Sequence, residues 1–141
     1  DVNLRIPALI PADYMGDINT RLSMYKRIAT ITDDANMREL QVELIDRFGL
    51  LPDAVKNLCR LTLVRLKSEQ LGATRLDMND SGGSLDFGKS TTVDPIKIVQ
   101  LVQAQPHIYG LVKGTKLTFK AETKNADQRF EAVDKILTLL K

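Results

Sequence analysis

The sequence contains one cysteine, Cys59, one histidine, His107, and no tryptophan. A single thiol excludes an internal disulfide and any cysteine-based zinc site, and a single imidazole leaves a histidine-rich metal centre without ligands. Metal and redox chemistry are therefore not expected. Aromatic residues make up only 5% of the chain, and 20 Lys+Arg stand against 18 Asp+Glu for a formal charge of +2. The basic excess is slight despite a sequence pI near 8.7, and there is no Lys/Arg block, so a phosphate-binding surface would have to be made by clustering. No apolar run approaches the ~20 residues that span a bilayer. The opening Asp-Val-Asn-Leu-Arg-Ile has neither the charged nor the apolar region of a secretory signal. A reducing, cytoplasmic setting with no membrane partner is the expectation. What is present, 43% hydrophobic and 27% charged residues over 141 positions, is the composition of one globular domain, residues 1–141, with a single core. The first residue is not methionine and a strand-like segment begins almost at once, which points to a piece of something longer, with any catalytic machinery in the remainder.

Residues 2–10 alternate loosely, with Val2, Leu4 and Ile6 on one side and Pro7 and Pro11 as punctuation; this pattern predicts a short edge strand. Over residues 12–31 the spacing of Ile18, Leu22, Tyr25 and Ala29 becomes helical, with Tyr25 expected as a core anchor whose hydroxyl is wet. A cap-rich break at Thr32-Asp33-Asp34 precedes a helix over residues 34–48, with Met37, Leu40, Leu44, Ile45 and Phe48 on its apolar side and Gly49 as a left-handed stop. Pro52 opens a third helix to about residue 70, whose apolar face is wide enough for packing on more than one side, and Gly72 ends it. Then the character changes. Residues 73–79 and 84–87 read as a hairpin around Asp80-Ser81-Gly82-Gly83. Asp94-Pro95 starts a short helix with Ile96, Val99 and Val102 on its apolar face. Residues 108–112 and 116–120 make a second hairpin, and a helix from about residue 125 carries Phe130, Val133, Ile136, Leu137 and Leu140. Helices first, then hairpins with helices between, predict an α+β fold: an N-terminal three-helix segment packed with short antiparallel hairpins and a C-terminal helix.

Gly83-Ser-Leu-Asp-Phe-Gly88-Lys89-Ser90 matches the spacing of a phosphate-binding loop. That chemistry needs a loop between a buried strand and the first turn of a helix, whose amides face the anion. Here Ser84-Leu85-Asp86-Phe87 alternates as a strand does, and the next helix signal, Asp94-Pro95, comes several residues too late. The hairpin is the better reading, and no cofactor is assigned to this chain.

Neither His107 nor Cys59 has a sequence neighbour that would make it a nucleophile or base, so an edge histidine and a core thiol are expected. Two basic groups, Arg21, Lys26 and Arg27, and Arg60, Arg65 and Lys67, read as solvated helix faces, since the aromatic beside the first group, Tyr25, is expected in the core and is not free to stack on a base. More informative is the second helix, where Glu39, Glu43 and Asp46 follow at spacings of four and three, opposite Leu40, Leu44 and Phe48. Their carboxylates share one stripe that basic partner groups could meet, although Arg47 stands four residues after Glu43, the favourable order for a local pair.

The run Arg21-Leu22-Ser23-Met24-Tyr25-Lys26-Arg27-Ile28-Ala29, then Glu39-Leu40 and Glu43-Leu44-Ile45-Asp46-Arg47-Phe48-Gly49-Leu50-Leu51-Pro52, resembles the C-terminal domain of the bacterial transcription-repair coupling factor (Mfd) family, most strongly over residues 4–72. The resemblance implies a regulatory domain of a larger DNA translocase that displaces stalled RNA polymerase and recruits nucleotide excision repair. It implies that ATP and magnesium act in motor domains outside this chain, and that RNA polymerase, UvrA and DNA are met through other parts of the parent. It further implies a non-catalytic, autoinhibitory role: packing on a UvrB-like N-terminal module to mask UvrA binding and restrain the motor. By the same resemblance the acidic residues beside Asp46-Arg47-Phe48-Gly49 contribute to that contact, so Glu39, Glu43, Asp46 and Arg47 are the candidate interdomain residues. The rival reading is a nucleic-acid-binding accessory domain; an independent nucleotide-dependent enzyme, resting on residues 83–90, is third.

Overall fold

The computed structural model describes residues 1–141. Five helices and five strands are present, in the order β1 (Val2–Asn3), α1 (Ile18–Ala29), α2 (Asp34–Phe48), α3 (Asp53–Gln70), β2 (Ala73–Asn79), β3 (Gly82–Phe87), α4 (Pro95–Ala104), β4 (Tyr109–Val112), β5 (Lys116–Lys120) and α5 (Ala126–Leu139). The fold is α+β, as the order of signals predicts. Two compact units emerge: Ile6–Leu63, and Asp1–Arg5 together with Val64–Lys141.

The unit Ile6–Leu63 is helical, and its core gathers Ile10, Met15, Met24, Ile28, Met37, Leu40, Leu44, Val55 and Cys59. Aspartates start its first two helices, Asp17 accepting the Thr20 N–H at 3.2 Å and Asp33 the Asn36 N–H at 2.7 Å. The bounds of α2 agree with the sequence reading. Those of α1 do not: Tyr14 and Met15 N–H groups both donate to the Pro11 carbonyl, forming a separate turn, and the helix begins only after Asp17. Its inward face also differs from expectation. Ile18 and Leu22 are exposed, whereas Met24 and Ile28 are buried. Both sets have helical spacing, so periodicity alone could not choose between them. Tyr25 is half-buried, but its hydroxyl accepts the Ile10 N–H at 2.6 Å instead of facing water.

The other unit is built on a sheet of order β1-β2-β3-β5-β4. The two hairpins join through antiparallel β3 and β5, and β1 adds in parallel to β2, so the sheet is mixed. The predicted edge strand over residues 2–10 shrinks to Val2–Asn3: Arg5 sits at φ 56°, which turns the chain away, and Pro7 brings no N–H to continue the ladder. The hairpin turn tightens to Asp80-Ser81, with Asn79 opposite Gly82. Gly82, at φ 136°, has no room for a Cβ, which would run into the Phe119 carbonyl. One sheet face buries Leu76, Met78, Leu85, Leu117 and Phe119; the opposite face carries Asp77, Ser84, Asp86, Lys116 and Thr118. All five predicted apolar residues of α5 are buried. On α4, however, Ile98 is the buried residue, while Ile96 and Val99 face solvent.

Residues 88–92 have a structural use. The Thr91 hydroxyl donates to the Leu71 carbonyl at 2.6 Å, the Thr92 N–H to the same carbonyl at 3.2 Å, and the Gly88 N–H to the Gly72 carbonyl at 2.9 Å. The end of the segment that imitates a phosphate loop and the residues just after it thus pair with carbonyls of the turn that follows α3.

Candidate functional site

On α2 the residues Met37, Leu40 and Leu44 are buried, which fixes the roll of the helix and turns Glu39 and Asp46 to solvent. Neither exposed carboxylate takes part in an ion pair. Val42, 58% exposed, lies on the same side, and a shallow concavity beside it is lined by Ala35, Arg38, Glu39 and Val42.

Glu43 behaves differently. It receives a two-pronged contact from Arg27 of α1, at 2.5 and 2.8 Å, and a third from Arg47 at 3.2 Å. These hydrogen bonds, Arg27 first, hold its carboxyl at a pKa of about 2. The same pairing raises the Arg27 pKa. The stripe seen in the sequence is therefore two free carboxylates flanking one that is already engaged, with its side chain still 37% exposed.

The C-terminal end of α2 is firmly held. Gly49 ends it at φ 98° and ψ −171°, a glycine-only extended region rather than the left-handed helical one expected. Tyr14 donates its hydroxyl to the Gly49 carbonyl at 2.9 Å and lies 3.3 Å from that of Leu44; burial pushes its pKa up. Its ring tilts against Phe48 at 5.8 Å, and the Arg47 guanidinium lies 4.8 Å from the centre of that same Phe48 ring. Asp46 consequently projects from a rigid support.

The remaining sequence candidates fall elsewhere. Cys59 is buried, and burial raises its pKa. His107 is exposed between α4 and β4. Arg21 donates to the Met15 and Gly16 carbonyls, and Arg65 lies 4.0 Å from Glu69, so these cations already have local tasks. The sequence reading missed Arg129, 9% exposed. Its guanidinium donates to the carbonyls of Thr123, Leu4 and Arg5 and to the Asp80 carboxylate, at 2.8, 3.1, 2.9 and 2.7 Å. Its place within the otherwise apolar stripe of α5 was the only available signal.

Fold and site together define an α+β domain that presents a rigid charged helix face. A crystal structure of the C-terminal domain of transcription-repair coupling factor has this fold, with a TM-score of 0.81, 26% identity and coverage of 99% of this chain and 92% of that one. The TRCF domain model matches residues 4–98. Similarity to the transcription-repair-coupling factor of Haemophilus influenzae is 46% identity over 137 residues, 97% of this chain and 12% of that protein. For the Escherichia coli K12 protein it is 41% over 133 residues, 94% of this chain and again 12% of the relative. The chain belongs to the TRCF domain family and corresponds to the C-terminal domain of a transcription-repair coupling factor. No helix is long and apolar enough to cross a membrane.

Proposed function

We propose that this domain is a reversible autoinhibitory clamp that performs no reaction itself, packing on the UvrB-like N-terminal module of its parent, masking UvrA binding and restraining the motor. The observation that carries this reading is the exposed, unpaired carboxylate of Asp46 on the firmly held end of α2, one turn from Glu43 and two from Glu39. A guanidinium from the partner module would meet fixed acceptors, so little side-chain freedom is lost on contact. Glu43 stays ionised throughout the physiological range because its pKa is about 2. A carboxylate offers about four acceptor positions, so an arriving arginine can join Arg27 or take its place. Replacing one local cation by another yields a small net free energy, which suits a contact that must open when another binding event competes.

ATP and magnesium belong, in this proposal, to motor domains elsewhere in the parent. Residues 83–87 lie in strand β3, residues 88–92 bond to the turn that follows α3, and α4 begins only at Pro95, so no helix N-terminus directly follows this segment to cradle a phosphate. Glu43→Ala combined with Asp46→Ala in the full-length protein is expected to leave this domain folded while producing faster proteolysis, higher basal ATPase and stronger UvrA binding. If all three stay unchanged, the clamp reading fails. Salt-dependent DNA binding by the isolated chain, with those three unchanged, would favour an accessory nucleic-acid domain.

A further inference from the structure

From Pro95 to Ala121 the chain carries Lys97, Lys113, Lys116, Lys120 and His107 and not one carboxylate. This stretch forms α4, β4 and β5, and the sheet order makes β4 a terminal strand. Because the Lys120 N–H bonds to the Ile108 carbonyl, antiparallel alternation points the backbone groups of residues 108, 110 and 112 toward β5 and turns the N–H and carbonyl of Leu111 outward. Leu111 shares the inward sheet face with Tyr109 and Leu117, both buried, yet is itself 41% exposed because no strand lies beyond it. Ile108, Val112 and the outer residues of α4, Ile96 and Val99, are exposed as well.

We propose that the free edge of β4 is a docking site for an extended, acidic peptide segment of a partner protein, which adds to the sheet as a sixth strand. Main-chain hydrogen bonds to Leu111 would supply the register, and an apolar side chain beside Leu111 would continue the inward face. Carboxylates on the incoming strand would meet Lys113, which directly follows β4 and has no ion-pair partner; Lys120, one strand further in on β5 and likewise unpaired, and Lys116, shared with Asp86 at 4.0 Å, add to the positive potential there. Charge selects this occupant. A second copy pairing edge to edge would bring two carboxylate-free surfaces together, and lysine at a short edge strand is a common defence against self-pairing. Single-stranded nucleic acid would want stacking rings, but Tyr109 and Phe119 are both buried.

The test titrates the 141-residue chain, observed by amide NMR, with an eight-residue alternating Glu-Val peptide, with its Lys-Val counterpart and with a single-stranded oligonucleotide. The acidic peptide is expected to bind about tenfold more tightly than the basic one, to shift the resonances of residues 109–113 and to slow exchange of the Leu111 N–H. Leu111→Pro removes an N–H that no intrasheet bond uses, a tolerated change at an edge, and should weaken binding about tenfold. Should that variant fail to fold, Lys113→Glu with Lys120→Glu, which leaves the backbone edge intact, should weaken binding at least about threefold. The proposal is overturned if the acidic peptide leaves residues 109–113 unperturbed, if the basic peptide binds equally well, or if only the oligonucleotide perturbs this edge.

Discussion

Replacing Arg129 by alanine removes a guanidinium that reaches three backbone carbonyls and one carboxylate. The carboxylate matters least. The Asp80 side chain is 78% exposed and will simply rehydrate, so losing this ion pair alone costs about 0–1 kcal/mol. The carbonyls of Leu4 and Thr123, in contrast, belong to residues that are 2% and 0% exposed, and leaving a buried acceptor without a donor costs roughly 1–3 kcal/mol each. The Arg5 carbonyl lies nearer solvent and contributes less. Arg129→Ala should therefore destabilise the chain by about 3 kcal/mol, a fall in melting temperature of roughly 10 °C for a domain of this size. Urea unfolding followed by circular dichroism measures it, with two comparisons. Asp80→Ala should cost less than about 1 kcal/mol, and Arg75→Ala, which breaks an exposed pair of similar length, 2.6 Å to Asp77, should be nearly silent at about 0–1 kcal/mol. If Asp80→Ala is as damaging as Arg129→Ala, the ion pair and not the carbonyl cluster holds this junction. If Arg129→Ala costs under about 1 kcal/mol, the reasoning from buried acceptors is wrong.

Glu43 should titrate near pH 2 by carboxyl NMR, and Arg27→Gln should move it back toward the ordinary value of 4.5. Because the folded state lowers this pKa, its pairing stabilises fully above about pH 4.5 and is lost as pH falls through about 2. Acid unfolding of Glu43→Gln should therefore differ from the parent only above that window's lower end. Tyr14→Phe removes the hydroxyl that serves Gly49 and should cost about 0.5–1.5 kcal/mol in denaturant. Gly82→Ala, with a strained φ and the Phe119 carbonyl in its way, should cost more than about 2 kcal/mol. Lys89→Ala, on an exposed loop, should stay within about 0.5 kcal/mol of the parent.

Element types were legible wherever a local signal was strong. Asp33 and Phe48-Gly49 bracket α2, Asp94-Pro95 starts α4, and the five apolar residues of α5 lie on one stripe, so caps and period alone locate these elements. Faces were less legible. In α1 and α4 two sets of apolar residues satisfy the same helical spacing, and only packing selected Met24, Ile28 and Ile98 over Ile18, Leu22 and Ile96. For the candidate site, composition and spacing located Glu39, Glu43 and Asp46 on one face, but nothing local to α2 shows that Arg27, sixteen residues earlier, occupies Glu43. Thus the sequence by itself determined the elements, their order and the charge each helix face carries, since these follow from interactions within a few residues. Which carboxylate is neutralised, which edge strand is left open and where Arg129 finds its carbonyls were decided by tertiary structure, because each depends on groups brought together from distant parts of the chain.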